Sequence, residues 1–232
     1  MTPMEKAKER IRNWKSGFLD LVNLGLTELP ELPAGLEQLY CYNNRLTRLP
    51  ETLPAGLQLL SCSGNTLTRL PDTLPAGLTL LNCARNRLTR LPETLPAGLQ
   101  YLECDINQLL LLPDLPTTLT TLYCSNNKLT TLPDLPAGLE YLYCDNNQLM
   151  TLPETLPAGL IQLYSEGNKF PDGEENESIP DYVARVKANA EAESKERIVT
   201  RCALYFEELA KKVWHPQRVE RLMLAGVDME DM

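Results

Sequence analysis

A block of 20 or 21 residues recurs down most of the chain, and its clearest copies read LEQLYCYNNRLTRLPETLPAG, LTLLNCARNRLTRLPETLPAG and LEYLYCDNNQLMTLPETLPAG. A unit this short cannot bury an apolar side by itself. Self-similarity at this period therefore demands units stacked one on the next in a solenoid with a continuous core. The copies align as L-x-x-L-x-C-x-x-N-x-L-x-x-L-P, with second leucines at Leu39, Leu60, Leu81, Leu102, Leu122, Leu142 and Leu163 and an atypical opening unit at Leu19. Spacings of 20 and 21 mix because the extra residue falls in the turn, LPETLPAG against LPDLPAG.

Around each L-x-C the side chains alternate, which predicts a short parallel strand with one face in the core and the other exposed. The following asparagines, Asn44, Asn65, Asn86, Asn107, Asn127, Asn147 and Asn168, stand where the chain leaves the strand. An amide there can satisfy backbone groups of its own coil and the next, so these residues read as structural. Each Leu-Pro and Leu-Pro-Ala-Gly segment lacks donors at its prolines and favours extended backbone, predicting a polyproline-like convex side without helices. Cys41, Cys62, Cys83, Cys104, Cys124 and Cys144 share one inward slot, with Leu21 and Ser165 in that slot at the two ends. Neighbouring parallel strands lie about 4.8 Å apart, within reach of a disulfide. Parallel inward side chains would nevertheless have to rotate toward each other to bridge, and a linear ladder does not converge on a tetrahedral metal. Unpaired core thiols are the expectation, and neither metal nor cofactor is expected.

Outward strand positions form three columns: Gln38, Leu59, Leu80, Tyr101, Thr121, Tyr141 and Gln162; Tyr40, Ser61, Asn82, Glu103, Tyr123, Tyr143 and Tyr164; and Tyr42, Ser63, Ala84, Asp105, Ser125, Asp145 and Glu166. Seven of the nine tyrosines fall in these columns, which makes this face the aromatic-rich surface of the chain. Tyrosine supplies contact area and a hydrogen bond at low entropic cost. Glu103, Asp105, Asp145 and Glu166 add acidic character, so the predicted ligand is a protein or basic peptide held by Tyr40, Tyr42, Tyr101, Glu103, Asp105, Tyr123, Tyr141, Tyr143, Asp145, Tyr164 and Glu166. The competing reading is that aromatics in adjacent strands stack on one another and stabilise the sheet without a partner. On the flank, Arg48, Arg69 and Arg90 face a row of carboxylates at Glu51, Asp72, Glu93, Asp114, Asp134 and Glu154. Exposed pairs of this kind contribute little individually.

Both solenoid ends need covers. Ala7, Ile11, Trp14 and Phe18 recur at helical spacing and predict an amphipathic helix over 3–16. Beyond Phe170 the pattern decays into PDGEENE, after which Ser178 with Asp181 resembles a capping box. Ile198, Cys202, Tyr205, Leu209 and Val213 form an apolar stripe on the helix that follows or on a second one, and Pro216 to Ala225 reads as a last helix closed by Gly226. The expected division is a cap at 1–18, a solenoid of about eight repeats at 19–170, and a helical cap or extension at 171–232 whose surplus length offers self-association.

Net charge is −9, with residues 1–29 at +1 and 30–170 and 171–232 each at −5. No part is basic enough for binding nucleic-acid phosphates. Apolar runs are short and the charged start MTPMEKAKER has no apolar stretch behind it, so neither membrane span nor secretory signal is expected and an intracellular setting is.

The register x-L-P-x-L-P-x-x-L-x-x-L-x-x-x-x-N-x-L-x-x-L-P resembles the leucine-rich repeats of bacterial effectors, in YopM-type proteins and in the repeat domains of IpaH-type ubiquitin ligases. The Leu-Tyr-Cys-x-Asn-Asn version, with Trp214, His215, Pro216, Arg218, Val219 and Glu220 and then Gly226, Asp228, Glu230 and Asp231, is similar to leucine-rich repeat proteins of giant DNA viruses of the Marseillevirus type. These resemblances imply an α/β leucine-rich repeat solenoid. Its parallel sheet lies on the concave face, its convex side is extended, and its ends are helical. In the ligases the catalytic cysteine lies in a separate helical domain within Cys-x-Asp. Here Cys202 is followed by Ala203 and Leu204, so that activity is not expected. The lone histidine, His215, has no Ser/His/Asp set or phosphate-binding loop around it, and no enzyme is expected. The reading is a non-enzymatic protein-binding module engaging host or viral proteins. The alternatives are a structural or packaging component of a virion and an adaptor related to the ligases but lacking their catalytic domain.

Overall fold

The computed structural model describes residues 1–173 and 177–213, and the side chains of all of these except 205–213. A first compact unit spans Met1–Val186. It opens with helix α1 (Pro3–Asn13) and continues through eight three-residue strands: β1 (Phe18–Asp20), β2 (Gln38–Tyr40), β3 (Leu59–Ser61), β4 (Leu80–Asn82), β5 (Tyr101–Glu103), β6 (Thr121–Tyr123), β7 (Tyr141–Tyr143) and β8 (Gln162–Tyr164). The strands form one parallel sheet in chain order. No helix lies between β1 and β8.

The central residue of every strand is a leucine, and the register aligns Leu19, Leu39, Leu60, Leu81, Leu102, Leu122, Leu142 and Leu163 in one row. All but Leu163 are buried. The cysteine that follows sustains the ladder, with Cys41 N–H donating to Ser61 O at 2.8 Å and Cys144 N–H to Tyr164 O at 2.7 Å. The six repeat cysteines are buried free thiols. Burial pushes all six up, Cys62 and Cys144 to about 12. They behave as small hydrophobes, inert where thiolate is needed for reaction.

Two residues beyond each cysteine the backbone turns left-handed. Asn23, Asn43, Gly64, Arg85, Ile106, Asn126, Asn146 and Gly167 all have φ between 52° and 66°. That turn delivers the asparagine column inward. Asn107 is representative: its Oδ1 accepts Leu88 N–H at 2.9 Å and its Nδ2 donates to Cys83 O at 3.1 Å, Cys104 O at 3.0 Å and Asp105 O at 3.1 Å. Each amide thus staples its own turn to the preceding coil, pairing backbone groups that burial would otherwise leave without partners.

Helix α1 starts with Thr2 and Glu5 in a reciprocal capping box and Pro3 in its first turn. It ends at Asn13 and not at residue 16, because Trp14 is extended (φ −69°, ψ 134°) and Gly17 takes φ 79° to turn the chain into the sheet. Ala7 is fully buried, and Ile11 and Trp14 pack against the core. Phe18, read from its spacing as part of this helical face, is instead a strand residue, 61% exposed and edge-to-face with Tyr40 at 6.2 Å.

The opposite end is closed by the first turns of α2 (Ile179–Val213), where Ser178 Oγ accepts Asp181 N–H at 3.3 Å. Tyr182, Val183 and Val186 are buried in the same core, and the hydroxyls of Tyr182 and Ser165 meet at 2.8 Å. Ser165 is the polar end of the cysteine column, which explains why it takes a hydroxyl partner from the cap. From Lys187 the helix belongs to a second unit, and within it residues 191–204 are exposed. The predicted stripe therefore lies on one continuous helix as far as Cys202. The side chains of Tyr205, Leu209 and Val213, and the whole of the proposed last helix 216–225 with Trp214 and His215, fall outside the described residues. Among those described, no helix is long and apolar enough to cross a membrane.

Candidate protein-interaction face

Strand positions on either side of the central leucine point away from the core. The pairing Glu103↔Tyr123↔Tyr143↔Tyr164 sets three tyrosines in one row, with Tyr101 beside them on β5. A parallel sheet spaces such rows at about the thickness of stacked rings. Tyr123 and Tyr143 lie 4.3 Å apart at 12°, Tyr143 and Tyr164 lie 4.8 Å apart at 9°, and Tyr101 tilts against Tyr123 at 5.6 Å. Tyr123 and Tyr143 remain half-buried and Tyr164 is 47% exposed, so the ring edges face solvent. The Tyr143 hydroxyl donates to Gln162 Oε1. Tyr141, one column over, is half-buried beside Thr121 and Gln162.

The carboxylates run alongside this ladder. Glu103 accepts the Tyr101 hydroxyl at 2.8 Å and Asn82 Nδ2 at 2.9 Å. Asp105 accepts Ser125 N–H at 2.6 Å, and the Ser125 hydroxyl donates onward to Asp145, which also accepts Asn146 Nδ2 at 2.6 Å. Burial pushes the Asp105 carboxyl up to about 7. The Ser125 N–H and the Arg85 charge oppose that rise, while the nearby Glu103 and Asp145 charges add to it. Burial raises Tyr101, which the hydrogen bond to Glu103 raises further, and burial raises Tyr123. Glu166 is exposed at the end of the row.

The structure divides the predicted residues into two groups. Tyr101, Glu103, Asp105, Tyr123, Tyr141, Tyr143, Asp145, Tyr164 and Glu166 share β5 to β8 and the turns that follow. Tyr40 and Tyr42 stand apart, separated from them by β3 and β4 and the turns that follow, where the column positions hold Leu59, Ser61, Ser63, Leu80, Asn82 and Ala84, and where Ser61 and Ala84, expected on the exposed face, are buried. Tyr40 has Phe18 as its aromatic neighbour. The left-handed column was not anticipated, since its residues are chemically mixed. Its signal was the position two residues after each cysteine. Among the described residues no group of three or more His, Cys, Asp or Glu side chains is arranged to hold a metal ion.

The family profile described as leucine rich repeats in two copies matches residues 117–158. YopM from Yersinia enterocolitica WA-314 is similar to this chain at 42% identity and a TM-score of 0.59, over 61% of this chain and 31% of that one. YopM from Yersinia pestis, a leucine-rich effector protein, is similar at 36% identity and a TM-score of 0.60, over 71% and 54%. A Shigella effector leucine-rich repeat domain is similar at 32% identity and a TM-score of 0.52, over 72% and 67%. The chain thus spans about a third and about half of the two YopM chains. Comparison with curated proteins finds no match. The repeat register, the parallel sheet and these likenesses together place the chain in the leucine-rich repeat family.

Proposed function

We propose that this protein is a non-enzymatic binding module that recognises another protein, or a basic peptide segment of one, on the outward face of β5 to β8. The carrying observation is the juxtaposition of a four-tyrosine ladder with the carboxylates of Glu103, Asp105, Asp145 and Glu166. Ring edges and hydroxyls offer contact area already fixed in place, so little side-chain entropy is lost on binding. The adjacent carboxylates favour arginine or lysine over acidic partners. Tyr40 and Tyr42 fall outside this contiguous patch and are peripheral to the proposal. Leucine-rich repeat proteins are in general interaction modules. The giant-virus resemblance of the 214–231 segment gives the proposed setting, an infected cell in which the module engages host or viral proteins.

The test compares wild type with a Tyr123→Ala, Tyr143→Ala, Tyr164→Ala variant in pull-downs from host-cell lysate, circular dichroism confirming that both fold. A partner held by wild type and lost by the variant supports the face as a recognition site. Equal capture by both overturns it in favour of another surface. Wild type that self-associates or co-purifies stoichiometrically with particles favours the structural role.

A further inference from the structure

The coil that follows β5 breaks the pattern of its neighbours at three places. On the flank, the two residues after the fourth leucine-type core position are Thr47 and Arg48, Thr68 and Arg69, Thr89 and Arg90 in the preceding coils, but Leu110 and Leu111 here. Both are exposed, at 58% and 61%, and Met150 repeats the substitution two coils later at 52%. Ile106, also exposed, holds the left-handed turn at φ 52°, a conformation that asparagine or glycine supplies in most of the other coils and that a β-branched side chain resists. The fold gains nothing evident from any of the four. Backbone strain beside exposed apolar surface is the pattern of a contact site.

The electrostatics of the same flank names the partner's chemistry. Arg69 reaches back to Glu51 at 2.5 Å and Arg90 to Asp72 at 3.4 Å. The row of cations then stops, because the equivalent positions are Leu111, Thr131 and Thr151. Glu93, Asp114 and Asp134 are exposed and have no ion-pair partner among the described residues. On the other side of the leucines in chain order stand the exposed Arg87 and Lys128. The patch therefore has an apolar centre, an unneutralised acidic edge and a basic edge.

We propose that this flank is a second docking surface, distinct from the tyrosine face, for an amphipathic segment of a partner protein. The segment's apolar side chains cover Ile106, Leu110, Leu111 and Met150. Its lysines or arginines take the places that repeat arginines vacate beside Glu93, Asp114 and Asp134.

The decisive variant, Ile106→Asn with Leu110→Thr and Leu111→Arg, returns the coil to the residues of its neighbours and so is compatible with folding. Fluorescence anisotropy is measured with a labelled amphipathic Leu/Lys helical peptide, beside its Leu/Glu and Ser/Lys counterparts. The Leu/Lys peptide is expected to bind wild type best and to weaken about tenfold or more on the variant, the scale of a lost interface hot spot. The Tyr123→Ala, Tyr143→Ala, Tyr164→Ala protein is expected to bind it as wild type does, which separates this surface from the tyrosine face. Thermal melts are expected to show the variant at least as stable as wild type. Equal peptide affinity for wild type and the coil variant overturns the proposal, and so does a marked loss of variant stability, which would make the leucines structural. Dimerisation of wild type abolished in the variant also overturns it, assigning the patch to a second copy of the chain.

Discussion

Asp105 accepts the backbone N–H of Ser125 at 2.6 Å across the β5–β6 step while the Ser125 hydroxyl turns to Asp145. One serine thus links the carboxylates of the coils on either side of its own. Burial holds the Asp105 carboxyl at about 7, above its unfolded value. The native state therefore binds more protons than the unfolded chain between the two values, and stability contributed by this group falls as pH rises from about 4 toward 7. Asp105→Asn keeps the acceptor for Ser125 and removes the charge. It is expected to raise the melting temperature at pH 8, to change it little at pH 4, and to flatten the dependence between them. A melt series that leaves the wild-type slope intact in this variant would remove Asp105 as its source.

Tyr143 lies between Tyr123 and Tyr164 in the ladder, so truncation breaks two stacked contacts at once. At about 0.5–1.5 kcal/mol for each aromatic pair, Tyr143→Ala is expected to cost roughly 1–3 kcal/mol in urea denaturation. Tyr143→Phe keeps both rings in contact, loses the hydroxyl's hydrogen bonds to Gln162 and Tyr123 and is expected to cost less than Tyr143→Ala, about 1 kcal/mol. Equal losses in the two would assign the contribution to the hydroxyl and not to stacking.

Asn107→Ala removes one acceptor and an amide that serves three carbonyls. Buried backbone groups left without partners cost about 1–3 kcal/mol each, and partial rescue by water leaves an expected loss of about 3 kcal/mol or more. A loss below about 1 kcal/mol would show that the ladder is replaceable.

The six repeat cysteines are buried and Cys202 is exposed. A thiol reagent such as Ellman's is expected to titrate one cysteine quickly in the native protein and all seven in denaturant. Cys202→Ser should abolish the fast phase. Rapid native labelling of more than one thiol would mean that the coils open readily.

Much of this organisation was legible in the residues because stacking turns period into position. Leu39, Cys41 and Asn44 recur at one spacing, so each is locked to one structural slot, and the outward columns follow by alternation. Legibility failed where the deciding contact lies between coils or where one backbone state accepts unlike residues. Ile106 and Asn126 share a left-handed φ that their chemistry does not advertise. Trp14 and Phe18 extend a helical spacing past the point where the sheet demands extended backbone. The separation of Tyr40 from the later tyrosines depends on Ser61 and Asn82, small or polar side chains whose gap matters only once the strands are adjacent.

The extra residue that distinguishes a 21-residue unit from a 20-residue one sits in the turn, while the strands on either side of it keep the same register. Neighbouring units are therefore alike in the positions that build the core and the ladder. Inserting or deleting one whole repeat would leave core and ladder intact and lengthen or shorten the outward face by one strand.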